Sequence, residues 1–183
     1  MIRLLVGILA AAAVTGCAAA GETAAPAPVV PATTGAGQFG LTERAFVELQ
    51  IATDDQAVKL LDLGGAKVSG ALRDLAAEIA TARRTELAAL HGLLDSAGIT
   101  YVNNHEGHDM PGMPTPDELA ELAAAPAPDA MFVRLLRAHL AESEGVVRGA
   151  AQSVTHEATR TLARQMETDR QRFSRRLGEL LRV

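Results

Sequence analysis

Residues 46–61 read FVELQIATDDQAVKLL, and residues 132–147 read FVRLLRAHLAESEGVV. Both stretches space their apolar residues three or four positions apart, which is typical of one face of an amphipathic helix. The stretches that follow them, LAAEIATARRTELAAL at 75–90 and LARQMETDRQRFSRRL at 162–177, also share one apolar spacing. Two similar helical hairpins pack most simply as an antiparallel four-helix bundle, so the sequence predicts an all-α domain.

Glycine, proline and capping residues divide this domain into four long helices and one short helix. The pair Gly64-Gly65 predicts the end of the first long helix, because glycine is favoured just past a helix. Thr115, Pro116 and Glu118 predict the start of the short helix, with a hydroxyl cap, a proline in the first turn and a glutamate that reaches back. The second, fourth and fifth helices are expected from about Ser69 to Ala97, from near Asp129 onward, and from roughly Thr155 to Leu181.

The first helix has a polar interruption in its apolar stripe. Thr53 and Gln56 are expected at the intermediate positions, where they would face the other helices. The apolar members of the stripe are Phe46, Leu49, Leu60 and Leu63.

The charge of the chain argues against binding to nucleic acid. The 183 residues carry a formal net charge of -5, and no basic stripe is present to neutralise phosphates. Near the end of the chain, arginines alternate with acidic residues, which favours a solvated helix face over a binding patch. These arginines are Arg164, Arg170, Arg172, Arg175 and Arg176.

The beginning of the chain predicts export and attachment to lipid. Residues 1–16 have a positive start and an apolar stretch about half as long as a bilayer span, which is typical of a cleaved signal peptide. Val14-Thr15-Gly16-Cys17 resembles the bacterial lipobox, in which the cysteine is lipidated and becomes the mature N-terminus. The alternative is an ordinary secretory signal with a chance cysteine. The lipobox interpretation predicts a protein anchored at the extracytoplasmic face of a bacterial membrane.

The lipid and the helical domain are expected to be joined by a flexible segment. Residues 17–40 begin with Cys17 and continue with mostly alanine, proline, threonine and glycine, a composition that can bury little apolar surface. The helical domain then occupies residues 41–183. A coil of about twenty residues reaches on the order of 25 Å, so the domain is expected to stay close to the membrane surface.

The segment between the two hairpins has the residue types of a metal site. It runs NNHEGHDMPGM at residues 103–113, and we call it the connector. Thioethers with imidazoles suit Cu(I), and imidazoles with carboxylates suit Cu(II) or Zn. The alternative is a polar connector whose methionines dock into the end of the bundle. The candidate ligands are His105, His108, Met110 and Met113.

His139 falls on the apolar stripe of the fourth helix, where a histidine is either a hydrogen-bonded core residue or a further ligand. His156-Glu157 lacks a second histidine four residues on, so the zinc-protease motif is absent. No serine has the sequence context of a nucleophile, and Cys17 is assigned to lipid. The sequence therefore predicts a protein that is not an enzyme.

The hairpins and the connector together resemble a bacterial family called domain of unknown function 305. The resemblance covers about residue 42 to the end, and it is strongest from His108 through the capped short helix and at Phe132-Val-x-x-Leu-x-x-His139. The resemblance implies a ferritin-like helical bundle, in a family with members linked to copper binding outside the cytoplasm.

The chain departs from this family inside the bundle. Where the resemblance implies histidine pairs on the first and fourth helices, this chain has Thr53-Asp54 and His139-Leu140. Glutamines expected on the partner helices are replaced by arginines, whose charge would repel a bound cation. The expected glutamate is kept once and replaced once. The two arginines are Arg83 and Arg170. The glutamate is kept as Glu86 in the first hairpin and replaced by Phe173 in the second.

Two hypotheses for function follow. In the first, the protein binds copper weakly or vestigially through the connector, with His105 or His139 completing a set formed by His108, Met110 and Met113. In the second, it is a structural or interaction module of the cell envelope that binds no metal. The protein partner is unknown in both, and two bundles could share the connector at an interface.

Overall fold

The computed structural model describes residues 37–182, and every regular element in that range is a helix. The prediction of an all-α helical bundle is confirmed. The predicted signal peptide, Cys17 and most of the predicted flexible segment lie outside the described residues. None of the described helices combines the length and the apolar character needed to span a membrane. The helices are α1 (Leu41–Lys67), α2 (Gly70–Ser96), α3 (Pro116–Ala124), α4 (Asp129–Ser153) and α5 (Glu157–Leu180).

The four long helices form two hairpins that pack side by side. Helix α1 packs against α2, and α4 packs against α5; between the hairpins, α1 contacts α4 and α2 contacts α5. Near one end of the bundle Leu60 of α1 shares a cluster with Phe132 at the start of α4, and near the other end Phe46 lies in a cluster with Val147. Neighbouring long helices therefore run antiparallel. The short helix α3 packs against α1.

The predicted start of α3 is confirmed, whereas the predicted end of α1 is wrong. The Thr115 hydroxyl accepts from the Glu118 N–H at 3.2 Å, and the Glu118 carboxylate accepts from the Thr115 N–H at 3.1 Å. Helix α1 passes through Gly64 and continues to Lys67. A Cβ added at Gly64 would lie 2.1 Å from Cδ2 of Phe132, so this glycine lets α4 approach α1 instead of ending the helix.

A buried polar layer divides the apolar core into two clusters. One cluster contains Leu60, Leu75, Phe132 and Phe173, and the other contains Phe46, Leu90, Val147 and Met166. Each long helix contributes polar residues between its two apolar segments. We call these residues the polar layer; they are Gln50, Asp54, Arg83, Glu86, His139, Ser143 and Arg170.

The polar layer corrects two predictions, that Thr53 faces the other helices and that Arg170 lies on a solvated face. Asp54 of α1 is fully buried, whereas the neighbouring Thr53 is only half-buried and its hydroxyl donates to the Leu49 carbonyl oxygen at 2.9 Å. Arg170 is fully buried and does not belong to a solvated face. In both cases the position in the helix turns the residue inward, and buried partners compensate its charge.

Glu43 joins the start of α1 to the loop between α4 and α5. Its carboxylate accepts from the backbone N–H groups of Gly40 at 3.0 Å, Thr155 at 2.6 Å and His156 at 3.1 Å. Burial raises the pKa of Glu43, but these backbone hydrogen bonds outweigh burial and lower the pKa to about 2. Glu43 therefore fastens the first hairpin to the second at this end of the bundle.

Candidate functional site

Tight turns in the connector hold its two histidines close together. Gly107 and Gly112 have φ angles of 76° and 71°, which glycine adopts without strain. The backbone N–H of His108 donates to the His105 carbonyl oxygen at 3.1 Å. The two imidazole rings lie edge to face, with their centroids 6.3 Å apart.

His105, His108 and Met113 line one surface cavity. Its volume is about 470 Å³, and Gln56 and Lys59 of α1 form part of its wall. His108 is exposed, whereas Met113 is only 8% exposed. Two imidazoles and one thioether therefore border the same space, with the histidines at its more accessible part.

Met110 borders a second, smaller cavity. This cavity of about 150 Å³ is lined by Met110 and Met113 together with Glu118 and Arg134. The backbone N–H of Met113 donates to the Met110 carbonyl oxygen at 3.0 Å. Because Met113 borders both cavities, it connects the two parts of the predicted ligand set.

Gly112 fixes the connector against α4. A Cβ added to Gly112 would lie 2.7 Å from Cβ of Glu142 and 3.0 Å from the Ala138 carbonyl oxygen. A side chain at this position would therefore force the connector away from the helix. The close approach sets the position of the connector on the bundle through its backbone.

His139 lies beneath the connector, where its ring is hydrogen-bonded to the Gly112 backbone, but it shares no cavity with the other four predicted ligands. It is fully buried and borders neither connector cavity. Its Nε2 accepts a hydrogen bond from Nε of Arg83 at 3.4 Å, so the neutral ring carries its proton on Nδ1. Burial, followed by the positive charges of Arg83 and Arg170, lowers the pKa of His139 well below its usual value. The geometry supports the core-residue interpretation of His139.

The centre of the polar layer consists of two arginines that share two carboxylates. Arg170 Nη1 donates to the Glu86 oxygens at 2.6 and 2.7 Å, and its Nη2 donates to Asp54 Oδ1 at 3.1 Å. Arg83 Nη1 donates to Glu86 at 2.8 Å, and its Nε lies 3.4 Å from Asp54 Oδ1. The formal charges of these four side chains cancel. Asp54, Arg83 and Glu86 come from the first hairpin, and Arg170 of the second hairpin bonds to both carboxylates.

Two neutral side chains extend this network. Gln50 Nε2 donates to Asp54 Oδ1 at 3.0 Å, and Arg170 Nε donates to Ser143 Oγ at 2.9 Å. Burial raises the pKa of Asp54, and the positive charges of Arg170 and Arg83 oppose that rise. Moving an ion from water into a protein interior costs several kcal/mol, so each of these charges depends on its partners.

The arrangement limits how the described residues could hold a metal ion. Within residues 37–182, no three His, Cys, Asp or Glu side chains are grouped so that they could bind one. In the polar layer, Asp54 and Glu86 are already bound by guanidinium groups, which repel a cation. A site in the connector therefore requires methionine sulfur, and thioethers favour Cu(I).

Sequence reasoning missed the polar layer as a structural unit. Arg83 and Arg170 occupy matching positions in the second helix of each hairpin, and both are flanked by apolar residues at helical spacing. That match was the available signal, since two charged residues at one position of a repeat are expected to face each other. Gln50 and Ser143 gave no comparable signal.

The helical bundle with its connector defines the class, and sequence comparison assigns the family. The chain belongs to the family described as domain of unknown function 305 (DUF305), which matches residues 43–181. None of the curated proteins matches this sequence.

Two solved structures share the fold. A DUF305 protein from Streptomyces coelicolor, described as secreted, has 22% identity and a TM-score of 0.69; the match covers 76% of this chain and 91% of that one. A DUF305 fragment from Deinococcus radiodurans has 20% identity and a TM-score of 0.67, covering 78% of this chain and 96% of that one.

Proposed function

We propose that this protein is a lipid-anchored, extracytoplasmic lipoprotein that binds copper weakly through its connector. The observation that carries the proposal is the shared cavity of His105, His108 and Met113. Imidazole nitrogen binds copper in both oxidation states, and thioether sulfur favours Cu(I). Met110 lies next to this cavity and would complete the set after a small rearrangement of the connector.

Weak binding is expected because no hydrogen bond from a carboxylate fixes the rings of the connector histidines. Glu106 and Asp109 border the same cavity as His105 and His108, but neither accepts a hydrogen bond from an imidazole. Metal-binding histidines usually donate their second nitrogen to such a partner, which raises affinity. The connector is therefore suited to transient capture of copper more than to permanent storage.

The extracytoplasmic location is supported by two observations. The chain begins with the sequence features of an exported lipoprotein, including Cys17 at the end of a lipobox-like tetrapeptide. The related Streptomyces coelicolor protein is described as secreted. Mass spectrometry of the mature protein would identify lipid on Cys17, and the Cys17→Ala variant should leave the membrane fraction. A variant that stays fully membrane-bound would contradict the anchor.

Copper binding is tested by titrating the purified protein with Cu(I) and Cu(II) against a chelator of known affinity. We expect one-to-one binding with a dissociation constant near or below about 1 μM, equivalent to about -8 kcal/mol. The test variant replaces His105, His108, Met110 and Met113 with alanine. A matched control replaces His91 and Met131, which lie outside the connector. Equal affinity of wild type and test variant would overturn the proposal.

A second candidate function is a structural or interaction module without metal. The observation that favours it is the polar layer, whose buried carboxylates are bound by Arg83 and Arg170 and leave no charge for a metal to satisfy. Failure of the copper titration, with the bundle still folded, would favour this candidate. The next experiment would then be crosslinking of the anchored protein in intact cell envelopes.

A further inference from the structure

The carboxylate of Asp54 is hydrogen-bonded on one side only. Three nitrogen atoms lie near its Oδ1: Gln50 Nε2 at 3.0 Å, Arg170 Nη2 at 3.1 Å and Arg83 Nε at 3.4 Å. Its other oxygen, Oδ2, is buried and has no partner. A carboxylate oxygen removed from water without a hydrogen bond costs more than the net value of the bonds on Oδ1, so the geometry calls for a partner at Oδ2.

Two further buried atoms beside Asp54 also lack partners. They are the Gln50 side-chain oxygen, Oε1, and the Arg83 nitrogen Nη2. Both belong to side chains that also approach Asp54 Oδ1 through a nitrogen atom, Nε2 of Gln50 at 3.0 Å and Nε of Arg83 at 3.4 Å. Two of the three atoms accept hydrogen bonds and one donates.

We propose that the polar layer binds one internal water molecule at this point. The water donates its two hydrogens to Asp54 Oδ2 and Gln50 Oε1 and accepts from Arg83 Nη2. Buried waters in proteins typically make about three hydrogen bonds to polar groups that otherwise lack partners. This site lies inside the bundle and is independent of copper binding by the connector.

Electrostatics selects water over an ion. With Asp54 ionised, the charges of Asp54, Glu86, Arg83 and Arg170 balance, so an ion of either sign would leave one unit of buried charge uncompensated. A small neutral molecule that both donates and accepts meets all three requirements.

The test counts long-lived internal waters by ¹⁷O magnetic relaxation dispersion on the purified protein. The variant Gln50→Leu removes one acceptor and fills the adjoining space with an apolar side chain. Gln56→Leu is the matched control, because it makes the same change at a half-buried position on the same helix. We expect Gln50→Leu to lose the equivalent of one water per molecule and Gln56→Leu to retain it. Equal counts in Gln50→Leu and wild type overturn the proposal.

A crystal structure of the wild-type protein at high resolution provides a test that does not depend on the variant folding. The proposal expects a water within hydrogen-bond distance of both Asp54 Oδ2 and Arg83 Nη2. A structure in which these two atoms bond directly to each other, or in which a chloride or metal ion bridges them, contradicts it.

Discussion

The polar layer and the connector use similar side chains in opposite surroundings. In the layer, His139 is fully buried and its ring bonds to Arg83; in the connector, His108 is exposed beside an open cavity. Carboxylates occur in both regions, but only those of the layer are bound by arginine. Surroundings, more than residue type, therefore decide whether such groups stabilise the fold or stay accessible to a ligand.

Removing one charge of the layer is expected to destabilise the protein more than any other substitution considered below. Arg83→Met leaves Nε2 of His139 without its donor and leaves the two carboxylates with a single arginine. Breaking a buried network in this way costs about 3–5 kcal/mol of unfolding free energy. Urea denaturation followed by circular dichroism measures it. A loss below about 1 kcal/mol would show that the layer does not stabilise the bundle.

A variant at Glu43 would show whether backbone N–H groups can stabilise a buried, ionised carboxylate as arginine does in the polar layer. Its pKa of about 2 in the folded protein lies below the usual 4.5, so its contribution is fully present above about pH 4.5 and is lost as pH falls towards 2. We expect wild type to lose about 2 kcal/mol more stability than Glu43→Gln between pH 5 and pH 2. Parallel pH profiles for the two proteins would exclude this role.

In the connector, by contrast, substitutions are expected to weaken copper binding and to leave stability nearly unchanged. Replacing His105 and His108 with alanine removes few packing contacts, so the free energy of unfolding should change by less than about 0.5 kcal/mol. Affinity for copper should fall at least about tenfold, equivalent to about 1.4 kcal/mol. Denaturation and chelator competition on the same preparation measure both. A large loss of stability with unchanged copper affinity would give the histidines a structural role.

The smallest effect is expected at the residue next to Arg83. Arg84 bonds Asp62 at 2.6 and 2.7 Å, closer than most contacts of the layer, but about half of each side chain is exposed. Exposed ion pairs contribute about 0–1 kcal/mol, so Arg84→Met should be near neutral in urea denaturation. If Arg84→Met destabilised the protein as much as Arg83→Met does, burial would not explain why the ion pairs of the layer contribute more to stability than exposed ones.

Much of the fold could be predicted from local sequence. The spacing of apolar residues predicted the four long helices, and α4 begins at Asp129 as expected. The capping pair Thr115 and Glu118 identified α3 because its signal depends on residues three positions apart. Such local patterns do not depend on how the helices later pack.

The errors arose where long-range packing decides. Gly64 is a poor helix former by itself, but Phe132 from another hairpin occupies the space that a side chain would need. Arg170 is predicted on a solvated helix face because acidic residues surround it in the sequence, but it is buried and pairs with Asp54 across the bundle. The connector ligands were predicted by residue type, but only the fold shows which of them share a cavity.

The fastening at Glu43 has a mechanical consequence. A pull on the chain ahead of Phe39 enters the bundle at the start of α1, where Glu43 is bonded to the backbone of Thr155 and His156. The load is therefore divided at once between the two hairpins instead of peeling α1 away alone. A bundle held by its N-terminus in this way resists extension best when the surrounding medium keeps that carboxylate ionised.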